Sequence, residues 1–412
     1  MNLSEWRQAV RTPTTYRVGN STFRFQTKFV FFLIAFTIIC LLYLSVPTHE
    51  ASPINSVNVG GKRGSLLWGS RRWQRHGKYP LTDPVTTEKG LKFRVGIISD
   101  LDQESKSSSG KWISYLRRGH LYLQFNKDSP KHSKVALEWD SGEPLVVKSE
   151  LNQGGRGMEL SELIVFNGKL YSFDDRTGIV YNLVTTESDE VLPVPWVILA
   201  DGNGTLPKGF KCEWAGVKDG YMYVGGLGKE WTTSSGELLN LNPQYIKKIS
   251  TTGEVEHLSW VSNYNKMAQA LNIHFPGYVI HESSGWSDIL QKWVFLPRRA
   301  SSEQYHEKTD EKKGTNIMLV ANEDFSNIEV RHVGDVVPTH GFSSFKWIPS
   351  TDDQLIIALK SEEFEGKTAT YIMHPRLSDL RLPCVFWCNI HIFAIIGFST
   401  KCICIQYFIY NT

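Results

Sequence analysis

Two stretches of the chain share one rhythm of polar and apolar positions. SELIVFNGKLYSF and EWAGVKDGYMYVGG each run from a polar residue through an apolar strand, an Asn-Gly or Asp-Gly turn, and a second strand containing tyrosine. Ser161 stands seven residues before Gly168, and Glu213 seven residues before Gly220. Two apolar strands joined by such a turn predict a β-hairpin. Looser versions begin at Glu282 (ESSGWSDILQKWVF) and Ser343 (SSFKWIPSTDDQLIIAL). The four starts are 52, 69 and 61 residues apart. A period of that size predicts a blade of several strands repeated about an axis. One more step from Ser343 falls near position 395, where the pattern is lost.

Other apolar runs, RVGIIS, WVFL and LIIAL, are short, β-branched and aromatic, with Gly, Asp and Asn between them. Together with the hairpins they predict an all-β body, from residue 91 to 373. The uncharged run 29–46, FVFFLIAFTIICLLYLSV, is just long enough to span a bilayer. Arg7, Arg11, Arg17, Arg24 and Lys28 precede it, so the positive-inside rule makes 1–28 a cytoplasmic tail. Residues 29–46 are then a signal anchor, 47–90 a luminal stem, and the membrane a partner. A cleaved signal peptide is the alternative. Arg72-Trp-Gln-Arg75 has the spacing of a processing site that would shed the body, or is simply a basic stem.

The net charge of +3 and mildly basic pI of 8.4 argue against nucleic acid as a partner, which calls for a concentrated basic face. Cys212 is the only cysteine of the body, so disulfides do not hold it. Cys384, Cys388, Cys402 and Cys404 crowd the tail 374–412, at spacings that fit no common zinc pattern. Asn203-Gly-Thr is a glycosylation sequon. A homodimer is compatible with the sequence, which does not set the oligomeric state.

Equivalent residues on the innermost strands of a propeller face its channel. Ser161, Glu213, Glu282 and Ser343 would there form an oxygen-only shell suited to Ca²⁺, or would merely begin strands and cap turns. Asp100 and Asp102 end the strand RVGII, and Asp174, Asp175 and Arg176 follow KLYSF. Such carboxylates can serve as a general base and the arginine can grip phosphate, although DDRTG is also a good turn. GGLGKEW is no Walker loop; it would present Lys229, Glu230 and Trp231, a cation for phosphate and a ring for a base. Arg298 and Arg299 are either an anion site or a solvated pair.

The strings ISDLDQESK, GRGMELSELIVFNGKLYSFDDRTGIVY, GFKCEW, YVGGLGKEWT, PGYVIHES, FLPRRAS and VVPTHGFSSFKWIP resemble the calcium-activated nucleotidase (apyrase) family, in order over roughly 94–373. The resemblance implies a five-bladed β-propeller with Ca²⁺ in its central tunnel. It implies hydrolysis of nucleoside diphosphates, UDP and GDP especially, and of some triphosphates. It implies a calcium shell of Ser161, Glu162 through its backbone, Glu213, Glu282 and Ser343. The matching catalytic residues are Asp100, Asp102, Asp175 and Arg176; those expected on substrate are Asp174, Lys229, Glu230, Trp231, Arg298 and Arg299. With the anchor, the resemblance places the enzyme in the Golgi or endoplasmic reticulum lumen, clearing UDP left by glycosyl transfer.

The chain departs from that family at its end. The family's closing strand, of the type KYEGIEF with its calcium-binding glutamate, is absent, and FAIIGFS stands near 395. Its loss predicts an unpaired sheet edge and a missing carboxylate. A catalytically impaired propeller, kept as a binding or regulatory protein, and a product that misfolds are the competing readings.

Overall fold

The computed structural model describes residues 14–18, 21–25, 36–37, 79–373 and 401–407. It divides into two units, 1–65 and 66–412. In the first, Thr14–Val18 pairs antiparallel with Ser21–Phe25. The expected anchor 29–46 lies outside the described residues apart from Phe36 and Thr37, which are helical. No helix among the described residues is long and apolar enough to cross a membrane.

The second unit is a five-bladed β-propeller. Blade 1 is Leu160–Phe166, Lys169–Asp174, Ile179–Thr185 and Val191–Ile198, each strand antiparallel to the next. Blade 2 is Trp214–Lys218, Tyr221–Gly225, Tyr245–Ile249 and Val255–Ser259. Blade 3 is Tyr278–Ser287, Lys292–Ser301, Ile317–Asn322 and Ile328–His332. Blade 4 is His340–Trp347, Ile356–Phe364 and Lys367–Met373. The first-named strand of each is innermost; Leu160–Phe166 and Trp214–Lys218 begin within one residue of Ser161 and Glu213, whereas Tyr278–Ser287 and His340–Trp347 begin four and three residues before Glu282 and Ser343.

The closing blade joins the two ends of the unit. Gly90–Asp100, Trp112–Gln124 and Lys134–Trp139 form its outer part, and Lys401–Tyr407 is its innermost strand. The expected unpaired edge is therefore corrected. Cys402 pairs with Ser99, Cys404 with Ile98 and Tyr407 with Val95. KCICIQY alternates β-branched or apolar residues with others, so it can lie along the same edge as the missing strand. FAIIGFS, the segment nearest the expected slot, lies outside the described residues.

Five apolar cores fill the wedges between neighbouring blades. Ile98, Trp112 and Leu116 meet Leu163 and Tyr181 between the closing blade and blade 1. Phe93, Val95 and Ile97 meet Ile357 and Leu359 between the closing blade and blade 4. Between blades 2 and 3 the filling is aromatic, with Trp214 edge-on to Trp293 and Phe295. Innermost strands are buried on both faces; Leu160–Phe166 is buried at every residue, which is why it reads as a near-continuous apolar run. Outermost strands such as Lys134–Trp139 are half-buried at every second residue. Residues 79–90 of the expected stem also pack on the propeller. Val85–Thr87 pairs with Gly90–Asp100, and the Tyr79 hydroxyl donates to the Trp347 carbonyl at 3.0 Å. The helix Val261–Ala270, not expected from the sequence, packs Tyr264 and Met267 into the core between blades 2 and 3.

Candidate metal and phosphate site at one end of the tunnel

The innermost strands of blades 1, 3 and 4 each carry a β-bulge that falls on a repeated polar residue, and in blade 2 Glu213 immediately precedes the innermost strand. Ser161 is the extra residue between Leu160 and Glu162, and Ser343 between Phe342 and Ser344. Glu282 and Ser283 together oppose one residue of the neighbouring strand. The Glu213 N–H donates to the carbonyl of Gly225, the partner of Trp214. A bulge turns its extra residue out of the strand's alternation. The bulged Ser161, Glu282 and Ser343, with Glu213 just before Trp214–Lys218, put two carboxylates and two hydroxyls, all buried, on or beside the innermost strands. The Ser283 hydroxyl, beside Glu282, is buried without a hydrogen-bond partner among the described residues. Such hard oxygen donors with unused lone pairs fit a hard divalent cation.

Glu162 follows the first bulge. Its carboxylate accepts from Lys346 Nζ at 2.9 Å, an ion pair between blades 1 and 4, which are not neighbours in the ring. Its backbone carbonyl accepts from the Ser172 hydroxyl at 2.7 Å.

At the end of the ring where innermost strands begin and second strands end, charged residues gather. One carboxylate oxygen each of Asp100, Asp102 and Glu159 lie within 4.8 Å of one another. Asp102 has φ of 48°, and its N–H donates to Asp100 Oδ1 at 2.8 Å. Arg156 grips Glu159, with Nε to Oε1 at 2.7 Å, and reaches Asp102 at 3.3 Å. Burial pushes the Glu159 carboxyl up, against the pull of Arg156. Arg176 lies 3.9 Å from Glu159 and is otherwise turned to solvent. Lys211 binds Asp175 and stands 2.8 Å from Glu213, so one ammonium joins the tunnel shell to the rim. Burial works against that charge, but Asp175 and Glu213 outweigh it and hold Lys211 well above its ordinary value. Burial, helped by the charges of Glu282 and Asp175, pushes Glu213 up to about 8. The second oxygen of Asp175, Oδ1, is buried and unbonded among the described residues.

The other expected residues are placed differently. Asp174 accepts the N–H groups of Met158 at 2.8 Å and Arg176 at 3.0 Å, so it holds the turn while Asp175 faces the site. Burial raises its carboxyl to about 6. Arg298 is not a solvated edge residue: it is 4% exposed and bonded to Glu282 and Glu363. Arg299 binds Asp310. Lys229 turns inward to the Glu230 carbonyl and the Thr232 hydroxyl, 4.4 Å from the Tyr305 ring centre, and burial lowers it to about 8. Trp231 is half-buried, with Lys208 Nζ 4.7 Å from its ring centre. Glu230 lies near Gln244, 3.5 Å from its amide.

Sequence reasoning missed Arg156, Glu159, Lys211 and Glu363. A signal existed for two of them: Glu159 precedes Ser161 by two residues, as Lys211 precedes Glu213. The repeat that marks the tunnel therefore also marks its rim.

The apyrase family profile matches residues 101–380. The chain is 50% identical to soluble calcium-activated nucleotidase 1 of Rattus norvegicus over 85% of this chain and 84% of that protein. It is 41% identical to an apyrase of Cimex lectularius, over 87% of this chain and 92% of that protein. It is 44% identical to apyrase apy-1 of Caenorhabditis elegans, over 67% and 75% respectively. A profile match over more than half the chain, on the strands that build the ring and its rim, shows that the chain belongs to the apyrase family.

Proposed function

We propose that this protein releases inorganic phosphate from nucleoside diphosphates, UDP and GDP above all, and from some triphosphates, with Ca²⁺ as cofactor. The observation that supports the reading is that Ser161, Glu282 and Ser343 fall on bulges of innermost strands, and that Glu213, just before another, shares Lys211 with Asp175. The rat relative's name, a calcium-activated nucleotidase, and the insect relative's, an apyrase, support nucleotide hydrolysis, the former with calcium.

Ca²⁺ held by Ser161, Glu213, Glu282, Ser343 and the Glu162 backbone would neutralise charge on the diphosphate. The chain's own residues do the rest. Lys211 occupies Asp175 Oδ2, which leaves Oδ1 to orient a water and take its proton. Asp100 and Asp102 line the same rim. Of Arg156, Arg176, Arg298 and Arg299, Arg176 is the least tied to carboxylates and is the one we assign to the terminal phosphate. Arg298 and Arg299 hold the wall through Glu282, Glu363 and Asp310.

Residues 29–46 would anchor the enzyme in the Golgi or endoplasmic reticulum membrane with the propeller in the lumen, where it would clear UDP. The exposure of Asn203 suits a glycosylated luminal loop. The propeller would act there as a homodimer.

A second reading, a propeller impaired in catalysis and retained for binding, is favoured by one observation. The bulge of the closing blade falls on Ile403, a residue type without a side-chain oxygen. Phosphate release from UDP by the purified protein, with Ca²⁺ and with chelator, decides between them. Calcium-dependent turnover supports the enzyme, and a folded protein without turnover supports the second reading.

A further inference from the structure

Three buried carboxylates stand on or beside the innermost strands of successive blades: Glu162 in blade 1, Glu213 before blade 2 and Glu282 in blade 3. Each faces a cation. Lys346 reaches Glu162 at 2.9 Å, Lys211 stands 2.8 Å from Glu213, and Arg298 binds Glu282. Three negative charges thus meet three positive ones. A buried charge is costly unless it is paired, and here the chain's own cations supply the pairing.

Two of these cations also hold a second carboxylate, nearer the rim. Lys211 binds Asp175 as well as Glu213, and Arg298 reaches Glu363 at 2.8 Å as well as Glu282. Both second partners stand at strand ends on the rim side. Asp175 follows Lys169–Asp174, and Glu363 is next to last in Ile356–Phe364. Arg298 Nε is buried without a hydrogen-bond partner among the described residues, so part of its donor fork is unused.

Glu213 and Glu282 are also the two carboxylates assigned above to Ca²⁺. Ion and cation therefore compete for the same oxygens. A divalent ion added to a balanced buried set leaves two positive charges in excess unless two cations withdraw. Lys211 and Arg298 are the two with a second carboxylate to withdraw to.

We propose that Lys211 and Arg298 are counter-cations of the tunnel, which neutralise Glu213 and Glu282 in the absence of calcium and shift onto Asp175 and Glu363 when calcium binds. The inference rests on the calcium site proposed above and concerns how that site is kept and filled. The shift carries two positive charges from the tunnel towards the rim, where the phosphates of a nucleotide would arrive. It also draws Lys211 onto Asp175 as the site fills, which makes Lys211 a positioning residue for the base. Lys346 stays on Glu162, whose side chain is not among the expected ligands.

The test is thermal unfolding of the full chain, in chelator and across a calcium titration, for wild type, Lys211→Met, Arg298→Met and Lys211→Arg. Removing a competing cation leaves a carboxylate unpaired in chelator and makes a stronger site for the ion. Each Met variant should melt roughly 5 to 10 °C below wild type in chelator and recover at least half of that loss in saturating calcium. Half-maximal stabilisation should come at about tenfold lower calcium than in wild type. Lys211→Arg keeps the charge and should restore wild-type melting in chelator. A side chain that only packs costs the same in both conditions. Equal losses with and without calcium, or a midpoint at higher calcium, would overturn the proposal. Folding of Lys211→Met with calcium but not with chelator supports it, and if that variant folds in neither, Arg298→Met decides. A wild type that calcium does not stabilise overturns the exchange and the calcium site together. A wild type that calcium stabilises but that releases no phosphate from UDP sinks only the hydrolysis reading, and the melting curves still judge the exchange.

Discussion

Ile403 of the closing blade holds the register position that Ser161 holds in blade 1. Each is the one extra residue of a bulge on an innermost strand, with Cys402 and Cys404 paired around the first and Leu160 and Glu162 around the second. The tail has thus supplied the geometry of the fifth blade without a donor in the place where other blades put serine or glutamate.

Restoring a carboxylate at that position should strengthen the tunnel site. Ile403→Glu should shift the calcium dependence of the melting temperature to roughly tenfold lower calcium, because the charge and number of ligands set affinity and binding to the native state raises its stability. A calcium titration followed by thermal unfolding checks this. An unchanged midpoint would mean that the bulge does not face the ion.

The same strand should matter for solubility as well as for the ion. Ending the chain before Lys401 unpairs one edge of Gly90–Asp100, whose Val95, Ile97 and Ile98 lie in the wedges to blades 4 and 1. Each ladder bond lost costs about 1 kcal/mol, and the bared edge can pair with another chain. Lower melting temperature and larger species in size-exclusion chromatography are expected. A monodisperse protein with unchanged melting would show that the strand contributes nothing.

Asp175→Asn should lower kcat for UDP by roughly a hundredfold to ten-thousandfold, the usual contribution of a positioned base. The side chain keeps its shape, so folding should survive. Near-normal phosphate release from this variant would remove Asp175 from its assigned role.

Asp353 links the wall of blade 3 to the turn of blade 4 by accepting from the Ser287 hydroxyl at 2.7 Å. Burial raises its carboxyl to about 6. The folded state therefore keeps this proton where the unfolded chain has released it. Its contribution is full below the unfolded value near 4 and is lost as pH rises through 6. Asp353→Asn keeps an acceptor and removes the titration. The variant's stability relative to wild type should rise between pH 4 and 6, by about 1 to 3 kcal/mol, and stay level above. Denaturant unfolding at several pH values measures it, and parallel curves would refute the account.

The sequence alone determined the class of fold, the blade period and the four polar residues at its start. Those features are local: alternation, turn chemistry and strand length are written in neighbouring residues. It also singled out Asp175 and Arg176, because they end a predicted strand. Closure of the ring was decided only by tertiary structure, since pairing of Lys401–Tyr407 with Gly90–Asp100 joins residues some three hundred positions apart and no local pattern announces it. The same holds for the rim. Asp100 meets Glu159, and Lys211 meets both Asp175 and Glu213, only because the blades curl about one axis and bring separate strand ends to one side. Even the packing of Lys229 over the Tyr305 ring and the burial of Arg298 against Glu363 follow from partners elsewhere in the chain, which spacing along it cannot reveal.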